Sequence, residues 1–154
     1  MASLPPKIVL GCGKFGKKQG WLNVDIDPKV NPDQIVDLEK PWPWPDNSFD
    51  AAEAHMIIEH IQNIIPFMNE LWRVCKPKAL VHVVVPDQSS PLAVADPTHK
   101  RVFNTESFKY FCSNGEHYWI HESYGITCDF ILLGQVVVGR GYTELNVKLQ
   151  VNKK

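Results

Sequence analysis

The sequence predicts an α/β fold in which a mostly parallel sheet ends in an antiparallel hairpin. Short apolar segments typical of buried strands alternate with segments of helical spacing, which is the pattern of parallel sheets with crossover helices. One segment, LVHVVV at Leu80–Val85, is apolar enough for a central strand. The last two segments are separated by Gly139-Arg140-Gly141, which predicts a reversal between two antiparallel strands.

The elements follow in order from the apolar runs and from the residues that interrupt them. The predicted strands are Lys7–Leu10, Trp21–Ile26, Gln34–Leu38, Phe49–Ala54, Leu80–Val85, Phe130–Val138 and Tyr142–Val151. Apolar residues at helical spacing predict a helix over Ile57–Cys75, with a break or a new first turn at Pro66. We expect Pro77 to end that helix.

Proline and capping residues predict the remaining segments. Lys40–Ser48 contains three prolines and predicts an extended loop. Pro86–Pro97 is predicted as a second loop, and Asn104-Thr105 as the cap of a short helix that ends at Phe111.

Composition limits the class of protein. A chain of 154 residues fits a single domain, residues 1–154, and 44% hydrophobic with 21% charged residues is typical of a globular core. No apolar run approaches the roughly 20 residues of a membrane span, and Met1–Lys7 lacks a signal-peptide pattern, so we expect a cytoplasmic protein. A net charge of −1 makes nucleic acid an unattractive partner.

The cysteines do not predict a metal site. None of the four cysteines forms a CxxC pair, and we expect reduced thiols. The cluster that comes nearest to a zinc pattern is Cys112, His117, His121 and Cys128. The paired spacing of zinc-binding sequences is absent from it, so no metal is predicted.

A glycine-rich segment, Gly11–Gly16, matches GxGxxG directly after the first strand. A dinucleotide would need a helix that begins at the glycines, and there is almost no room for one before Gly20. A nucleoside triphosphate would need a serine or threonine after Lys17, where Lys18 stands. S-adenosylmethionine carries no phosphate and needs only close approach of the backbone, and an ordinary glycine-rich turn is also compatible.

Acidic residues accompany three of the predicted strands. Asp25 ends the second strand, Asp37 ends the third and Asp50 opens the fourth. Any one of them fits a turn or a cap. Because ligands of open α/β sheets bind beyond the carboxyl ends of the strands, the three together with the glycine loop predict a ligand crevice, with Asp25 accepting the ribose hydroxyls.

The chain resembles the small class I S-adenosylmethionine-dependent methyltransferases, in particular type 11-like domains. The resemblance covers about residues 7–111 and is carried by VLGCGKFGKKQGWLNVDIDP, IVDLEKPWPWPDNSFDAAEAHMIIEHI and NELWRVCKPKALVHVVVPD. The segment DPTHKRVFNTESFKYF, from Asp96, is similar to a branch met beside glycan-modifying and phage-encoded proteins. The resemblance implies a Rossmann-like sheet and S-adenosylmethionine as the cofactor.

The resemblance also implies which residues contact the cofactor. They lie in the glycine loop, at the ends of strands two and three and after strand four: Gly11, Cys12, Gly13, Asp25, Ile26, Asp37, Leu38, Ala54, His55 and Met56. Asp25 would bind ribose, and Asp37 would accept the exocyclic amine of adenine. Asp50 would support the site without touching the ligand.

The sequence departs from the family pattern in two respects. Lys78-Ala79 stands where the family usually has Gly-Gly, and only about ten residues join strands one and two. A parallel crossover normally takes a dozen or more residues, so the first helices of the family are predicted to be trimmed or absent. Apolar sheet surface would then be exposed, and we expect a homodimer or a partner domain to cover it.

Candidate chemistry centres on histidine, whose imidazole is the natural general base near neutral pH. His99 is the first candidate, with Asp96 to orient it and Arg101 to bind the acceptor, although this segment also fits a capped turn. His60 is the second candidate. Trp42 and Trp44 could form an aromatic wall for a ligand, but packing of their loop against the core is the favoured interpretation.

The sequence therefore predicts a methyltransferase that acts on a small hydroxylated or amino acceptor, with a sugar among the candidates. Two alternatives stay open. One is a cofactor-binding or interaction module without methyl transfer, which the short length of the chain favours. The other is a nucleotide-binding protein that uses the Gly16-Lys17 loop.

Overall fold

A computed structural model describes residues 3–154, so Met1 and Ala2 of the predicted domain lie outside the described part. Its centre is a single seven-stranded sheet of order β3-β2-β1-β4-β5-β7-β6. The strands are β1 Lys7–Leu10, β2 Leu22–Asp25, β3 Gln34–Ile35, β4 Phe49–His55, β5 Cys75–Pro86, β6 Phe130–Val138 and β7 Glu144–Val151. The pairs among β1 to β5 are parallel, and β7 is antiparallel to both β5 and β6. The predicted sheet and its terminal hairpin are thus confirmed.

The predicted helix over Ile57–Cys75 is shorter than expected. Helix α1 spans Ile64–Val74, and a single 3-10 turn, Ile58–His60, precedes it. Pro66 is the third residue of α1, where its missing N–H is one that has no helical partner in any case. The helix ends at Val74, one residue before the predicted Cys75, and Pro77 follows within β5.

Two further elements differ from expectation. The predicted loop Pro86–Pro97 contains a short helix, α2, at Pro91–Ala95, which starts on a proline whose φ is preset for a first turn. The helix predicted to end at Phe111 is a 3-10 turn over Ser107–Phe111. Within residues 3–154 no helix has the length and apolar character needed to cross a membrane.

The core lies on one face of the sheet. Helix α1 and the segment 103–130 cover the side chains that point to that face, among them Ile8, Leu10, Ala52, Ala54, Val81, Val83, Leu145 and Val147. Trp42 and Trp44 are buried as well, with ring centroids 5.2 Å from Phe67 and 5.6 Å from Phe49. The proline-tryptophan loop, residues 40–48, is therefore packed into the core, as favoured from the sequence.

The opposite face of the sheet, here called the bare face, has no helix over it in the described part of the chain. The β1–β2 connection contains no helix, and the β2–β3 connection contains only the 3-10 turn Pro28–Val30. The expected loss of the first helices is thus confirmed. The bare face is less apolar than predicted, because Glu53, His82 and Lys148 lie side by side across β4, β5 and β7. Apolar side chains such as Leu133, which is 52% exposed, share the face with them.

Candidate functional site

The glycine loop is fixed to the end of β2 by two backbone donors. The Cys12 N–H donates to the Val24 carbonyl over 2.9 Å, and the Gly13 N–H donates to Asp25 Oδ2 over 2.8 Å. Gly11 and Gly13 adopt φ values of 63° and 54°, in the left-handed region that favours glycine. The loop and the acid at the end of β2 are therefore joined by hydrogen bonds into one unit.

The two glycines differ in what surrounds them. A Cβ on Gly11 would lie 2.5 Å from Cγ1 of Ile57, so the segment after β4 crosses directly over this residue. A Cβ on Gly13 would meet no atom within 4 Å. Gly11 is thus required by packing inside the protein, whereas open space at Gly13 lets a ligand approach the backbone.

Asp25 is half-buried and keeps hydrogen-bonding capacity. Its Oδ2 accepts from Gly13 and its Oδ1 accepts from the Asp27 N–H over 3.0 Å. Each carboxylate oxygen has two lone pairs, so one acceptor position per oxygen is left for hydroxyl donors. The next side chain, Ile26, is 61% exposed beside it. Together they present an anionic acceptor and an apolar surface at the same strand end.

The acid after β3 lies beyond the strand, not at its end as expected. β3 stops at Ile35, and Asp37 Oδ1 accepts from the Glu39 N–H over 3.0 Å in a tight turn. Leu38 is buried in the core. Glu39 accepts from the backbone N–H of Gln62, which ties this turn to the segment that leads into α1.

The three predicted residues at the end of β4 point in different directions. Ala54 is buried in the core beneath the sheet, and Met56, at φ 52°, is 38% exposed. His55 points to the bare face, where it lines a cavity of about 270 Å³ together with Gly11 and Cys12. Burial raises the pKa of the Cys12 thiol, so this cysteine lines the cavity as a neutral group.

Asp50 does not belong to the crevice. It is the second residue of β4, at the amino end of the strand, and its Oδ1 pairs with Lys76 Nζ at 2.8 Å. The prediction that an acid from β4 joins Asp25 and Asp37 was therefore wrong. The other two acids lie at or after the carboxyl ends of their strands.

Both lysines after the glycine loop are engaged with protein atoms. Lys17 Nζ donates to the Val30 carbonyl over 3.1 Å, and Lys18 Nζ pairs with Glu53 Oε1 at 2.5 Å. No helix follows the loop before β2 in the described chain. A phosphate-binding loop needs both a helix terminus and an available lysine, so this geometry disfavours the nucleotide-binding alternative.

A hydrogen-bonded relay joins Asp96, Thr98 and His60. Thr98 Oγ1 lies 2.6 Å from Asp96 Oδ1 and 2.9 Å from His60 Nδ1. The carboxylate accepts the hydroxyl proton, so the hydroxyl oxygen accepts from His60 Nδ1–H and leaves Nε2 without a proton. Burial, followed by the nearby His99, lowers the pKa of His60. The imidazole is held neutral in the tautomer that a general base requires.

His99 lies beside this relay, and its side chain is largely buried. Its side chain is only 8% exposed, its Nδ1 lies 3.2 Å from the Ala93 carbonyl, and its ring packs edge-on against His60. Asp96 Oδ2 is 3.7 Å from His99 Nε2, while its Oδ1 is hydrogen-bonded to Thr98. Asp96 therefore orients His60 through Thr98 more directly than it orients His99.

Glu59 is a buried acid next to the two histidines. It is 2% exposed, and its Oε2 has no hydrogen-bond partner among the described residues. Burial raises the pKa of its carboxyl to about 7, although the neighbouring His99 opposes the shift. A carboxyl with this pKa exchanges protons near neutral pH.

The side chain of Arg101 is hydrogen-bonded to the protein backbone. Its guanidinium donates to the carbonyls of Ile61 and Gln62 over 3.1 and 2.6 Å. It also lines a cavity of about 730 Å³, together with Leu38 and Gln62. That cavity includes Leu38 but not the glycine loop, so Arg101 and the glycine loop line different depressions.

The Cys112, His117, His121 and Cys128 cluster does not come together as a ligand set. Cys112 and Cys128 are buried, His117 Nε2 pairs with Glu106, and His121 Nδ1 lies 2.6 Å from the Tyr118 carbonyl. Ligand-capable atoms do lie within 4.8 Å of one another in two other sets: Glu53, His55 and His82, and Glu59, His60 and His99.

Comparison with known proteins finds similarity to methyltransferases. Residues 10–83 match the model of a methyltransferase domain family, type 11. The match covers just under half of the chain, so residues 10–83 are similar to this methyltransferase domain family. The family match covers the glycine loop, Asp25, Asp37 and His60, and it ends inside β5. No curated protein sequence matches the chain.

Solved structures with this fold are distant in sequence. An S-adenosylmethionine-dependent methyltransferase from Methanosarcina mazei is 13% identical, with a TM-score of 0.67 over 100% of this chain and 95% of that one. A chain from the complex of the Haloferax volcanii Trm112 methyltransferase activator with a methyltransferase is 12% identical (TM-score 0.64; 98% and 84% covered). The [4+2]-cyclase SpnF is 13% identical (TM-score 0.66; 99% and 76% covered). At such identities the likeness shows the fold.

The sequence did not single out Thr98, Glu59 or His82 as site residues. Thr98 had a signal, because it stands between Asp96 and His99 in the candidate segment. Glu59 precedes His60 and could have been named with it. The contacts of His82 depend on pairing between β4 and β5, which no local pattern reports.

Proposed function

We propose that this domain is an S-adenosylmethionine-dependent methyltransferase that acts on a small hydroxylated or amino acceptor. The observation that carries the proposal is the hydrogen bond from the Gly13 N–H to Asp25. It joins an open glycine backbone to a carboxylate with unused acceptor positions. A phosphate-free ligand with a ribose diol fits such a pair, because it needs backbone approach and hydroxyl acceptors but no anion site.

The residues present fit the cofactor in their chemistry. Asp25 would accept the ribose hydroxyls, and Asp37 would accept the adenine amine. Ile26 and Met56 are apolar yet exposed at this edge of the sheet, and they would pack against the adenosyl part. When bound, S-adenosylmethionine supplies an activated methyl group, and the protein supplies binding and orientation.

His60 would act as the general base for a hydroxyl acceptor. Its Nδ1–H is engaged by Thr98, so Nε2 is available to take the acceptor proton. His99, the first candidate from sequence, would instead support the ring of His60 by edge-on packing. Other enzymes likewise use a carboxylate to hold a histidine in one tautomer, and here Asp96 would do so through the hydroxyl of Thr98.

The acceptor class is inferred from the cavity of about 730 Å³, whose lining includes Gln62, two residues after His60, but not His60 itself. Gln62, Asn63, Glu39 and Tyr124 line it, and Arg101 borders it. Amide, carboxylate and hydroxyl groups of this kind form hydrogen bonds with hydroxylated ligands. A sugar is therefore among the acceptors to test, in keeping with the glycan-associated branch that the segment from Asp96 onward resembles.

Cofactor binding is tested by titration calorimetry with S-adenosylmethionine, ATP and NAD. Asp25→Asn should weaken S-adenosylmethionine binding roughly 10- to 100-fold, because it replaces charge-assisted hydrogen bonds by neutral ones. Asp50→Asn is the matched control, since Asp50 lies at the opposite end of the sheet, and it should bind as wild type. Binding of ATP alone, or equal binding by Asp25→Asn, would overturn the proposal.

Methyl transfer is tested with a panel of sugars and amines by following S-adenosylhomocysteine release. His60→Gln should reduce turnover by roughly 10²- to 10⁴-fold while leaving cofactor affinity unchanged. His117→Gln is a control outside the site, because His117 pairs with Glu106. A His60→Gln enzyme with normal turnover would exclude His60 as the base.

A module that binds the cofactor without methyl transfer is the second candidate. It is favoured by the absence of the glycine loop from the lining of the 730 Å³ cavity, and the cyclase SpnF carries this fold under a name other than methyltransferase. Intact cofactor binding with no turnover on any acceptor would support the module. Methylation of any hydroxylated or amino acceptor would instead support a methyltransferase.

The bare face would be covered by a second copy of the chain or by a partner domain. Leu80 and Leu133 are 54% and 52% exposed on it. The methyltransferase complex from Haloferax volcanii includes an activator protein, which makes a partner reasonable for this domain too.

A further inference from the structure

We infer that Glu53, His55 and His82 form a divalent metal site on the bare face, and that zinc is the ion it takes. Glu53 and His55 are two residues apart on β4, so both point to the same face of the sheet. His82 is the direct partner of Glu53 on β5. The register of two strands thus brings two imidazoles and one carboxylate together.

The distances suit a tetrahedral ion. His55 Nε2 lies 3.2 Å from His82 Nδ1 and 3.7 Å from Glu53 Oε2. Zinc binds nitrogen and oxygen at roughly 2.0–2.2 Å, so two ligands at a tetrahedral angle lie about 3.4 Å apart. The two separations from His55 Nε2 differ from that value by only a few tenths of an ångström, and all three ligand atoms lie within 4.8 Å of one another. Three protein ligands leave a fourth position for water.

Neighbouring residues orient the ligands as they do in established zinc sites. His82 Nε2 lies 3.3 Å from Asn146 Oδ1, an acceptor, so the ring donates there and keeps its Nδ1 lone pair toward His55. Lys18 binds Glu53 through Oε1 only, which leaves Oε2 for an ion. Both supporting contacts come from elements other than the strands that carry the ligands.

Ligand type selects the ion. Two imidazoles and one carboxylate suit zinc and its neighbours in the first transition row, whereas magnesium and calcium prefer oxygen ligands. The ion would connect β4 to β5 on the face where the domain has no helix. The site does not use Asp25 or His60, but Glu53 and His55 line the same cavity as Gly11 and Cys12. Zinc binding is therefore measured without S-adenosylmethionine, so that its failure is distinct from a failure of cofactor binding.

Metal binding is tested by titrating zinc chloride into EDTA-treated full-length protein without a histidine tag. One ion per chain should bind, and bound zinc should raise the melting temperature because it favours the folded state. His82→Gln and His55→Gln should each abolish that binding. His55 is 44% exposed in its side chain, so the second variant is expected to fold even if the first does not.

Two further variants distinguish this site from the second set of ligand-capable residues, Glu59, His60 and His99. Asn146→Ala should weaken zinc binding roughly 10- to 100-fold, because it removes only a supporting contact. His60→Gln disrupts the second set and should bind zinc as wild type. Unchanged binding by His55→Gln, loss of binding by His60→Gln, or no zinc binding by the wild type would overturn the inference.

Discussion

Replacing Glu59 by glutamine should stabilise the protein, and the gain should depend on pH. Burial raises the pKa of the folded carboxyl from an ordinary 4.5 to about 7. Below the ordinary value the carboxyl is protonated in the folded and unfolded states, and its burial carries no charge penalty. As the pH rises from that value to the folded pKa, the unfolded state ionises more readily, so stability is lost.

The size of the effect follows from the shift. Each pKa unit is worth about 1.4 kcal/mol, so the shift from 4.5 to about 7 corresponds to about 3 kcal/mol at full ionisation. Glutamine has nearly the same shape and no charge at any pH. The stability difference between Glu59→Gln and wild type should therefore grow by about 3 kcal/mol between about pH 4.5 and pH 8.

Urea unfolding followed by the fluorescence of the buried Trp42 and Trp44 measures this difference at each pH. Glu70→Gln is a control of opposite sign, because hydrogen bonds from Arg73 lower the pKa of Glu70. That group stabilises the fold above its ordinary pKa and loses the effect as the pH falls, so Glu70→Gln should be least stable relative to wild type at high pH. A pH-independent difference for Glu59→Gln would refute the argument from burial.

Three further predictions concern other parts of the molecule. Arg73→Lys should cost roughly 1–3 kcal/mol in urea unfolding, because the guanidinium binds the carbonyls of the proline-tryptophan loop and two acids; an unchanged midpoint would contradict this. Gly11→Ala should lower the free energy of unfolding by roughly 1–3 kcal/mol, because of the left-handed φ and a clash with Ile57. Adding Ile57→Ala should regain the part due to the clash but not the part due to the backbone strain. Light scattering at micromolar concentration should show a dimer if a second copy covers the bare face, and Leu133→Lys should dissociate it. A strict wild-type monomer would count against the expectation that this face is covered.

The strands were predictable because each is a local apolar run bounded by glycine, proline or charge. The helix boundary was not, although the apolar spacing is real. Ile58 and Ile61 are buried in the same core as α1, but they reach it from a 3-10 turn and an extended residue. The periodic pattern of buried residues therefore begins before the helix. From the sequence, the helix cannot be distinguished from the 3-10 turn and the extended segment that precede it.

Residues of the candidate site could be predicted where they stand at the end of a strand that is visible in the sequence. They could not be predicted where their meeting depends on how strands pair. Asp25 could be located because its strand and its neighbour Gly13 are both visible in the sequence. Asp50 was misplaced because it opens its strand, which puts it at the wrong edge of the sheet. The meeting of His55 with His82 depends on parallel register over 27 residues of sequence separation, and the Thr98–His60 contact likewise joins separate loops.

The position of β7 affects how the chain can fold during synthesis. β7 lies between β5 and β6 in the sheet, and its partner β5 precedes it by roughly 60–70 residues. Until Glu144–Val151 has left the ribosome, β5 presents one open hydrogen-bonding edge. Closure of the sheet must therefore wait for the last strand, and a nascent chain halted before it exposes an edge that chaperones or other chains would bind.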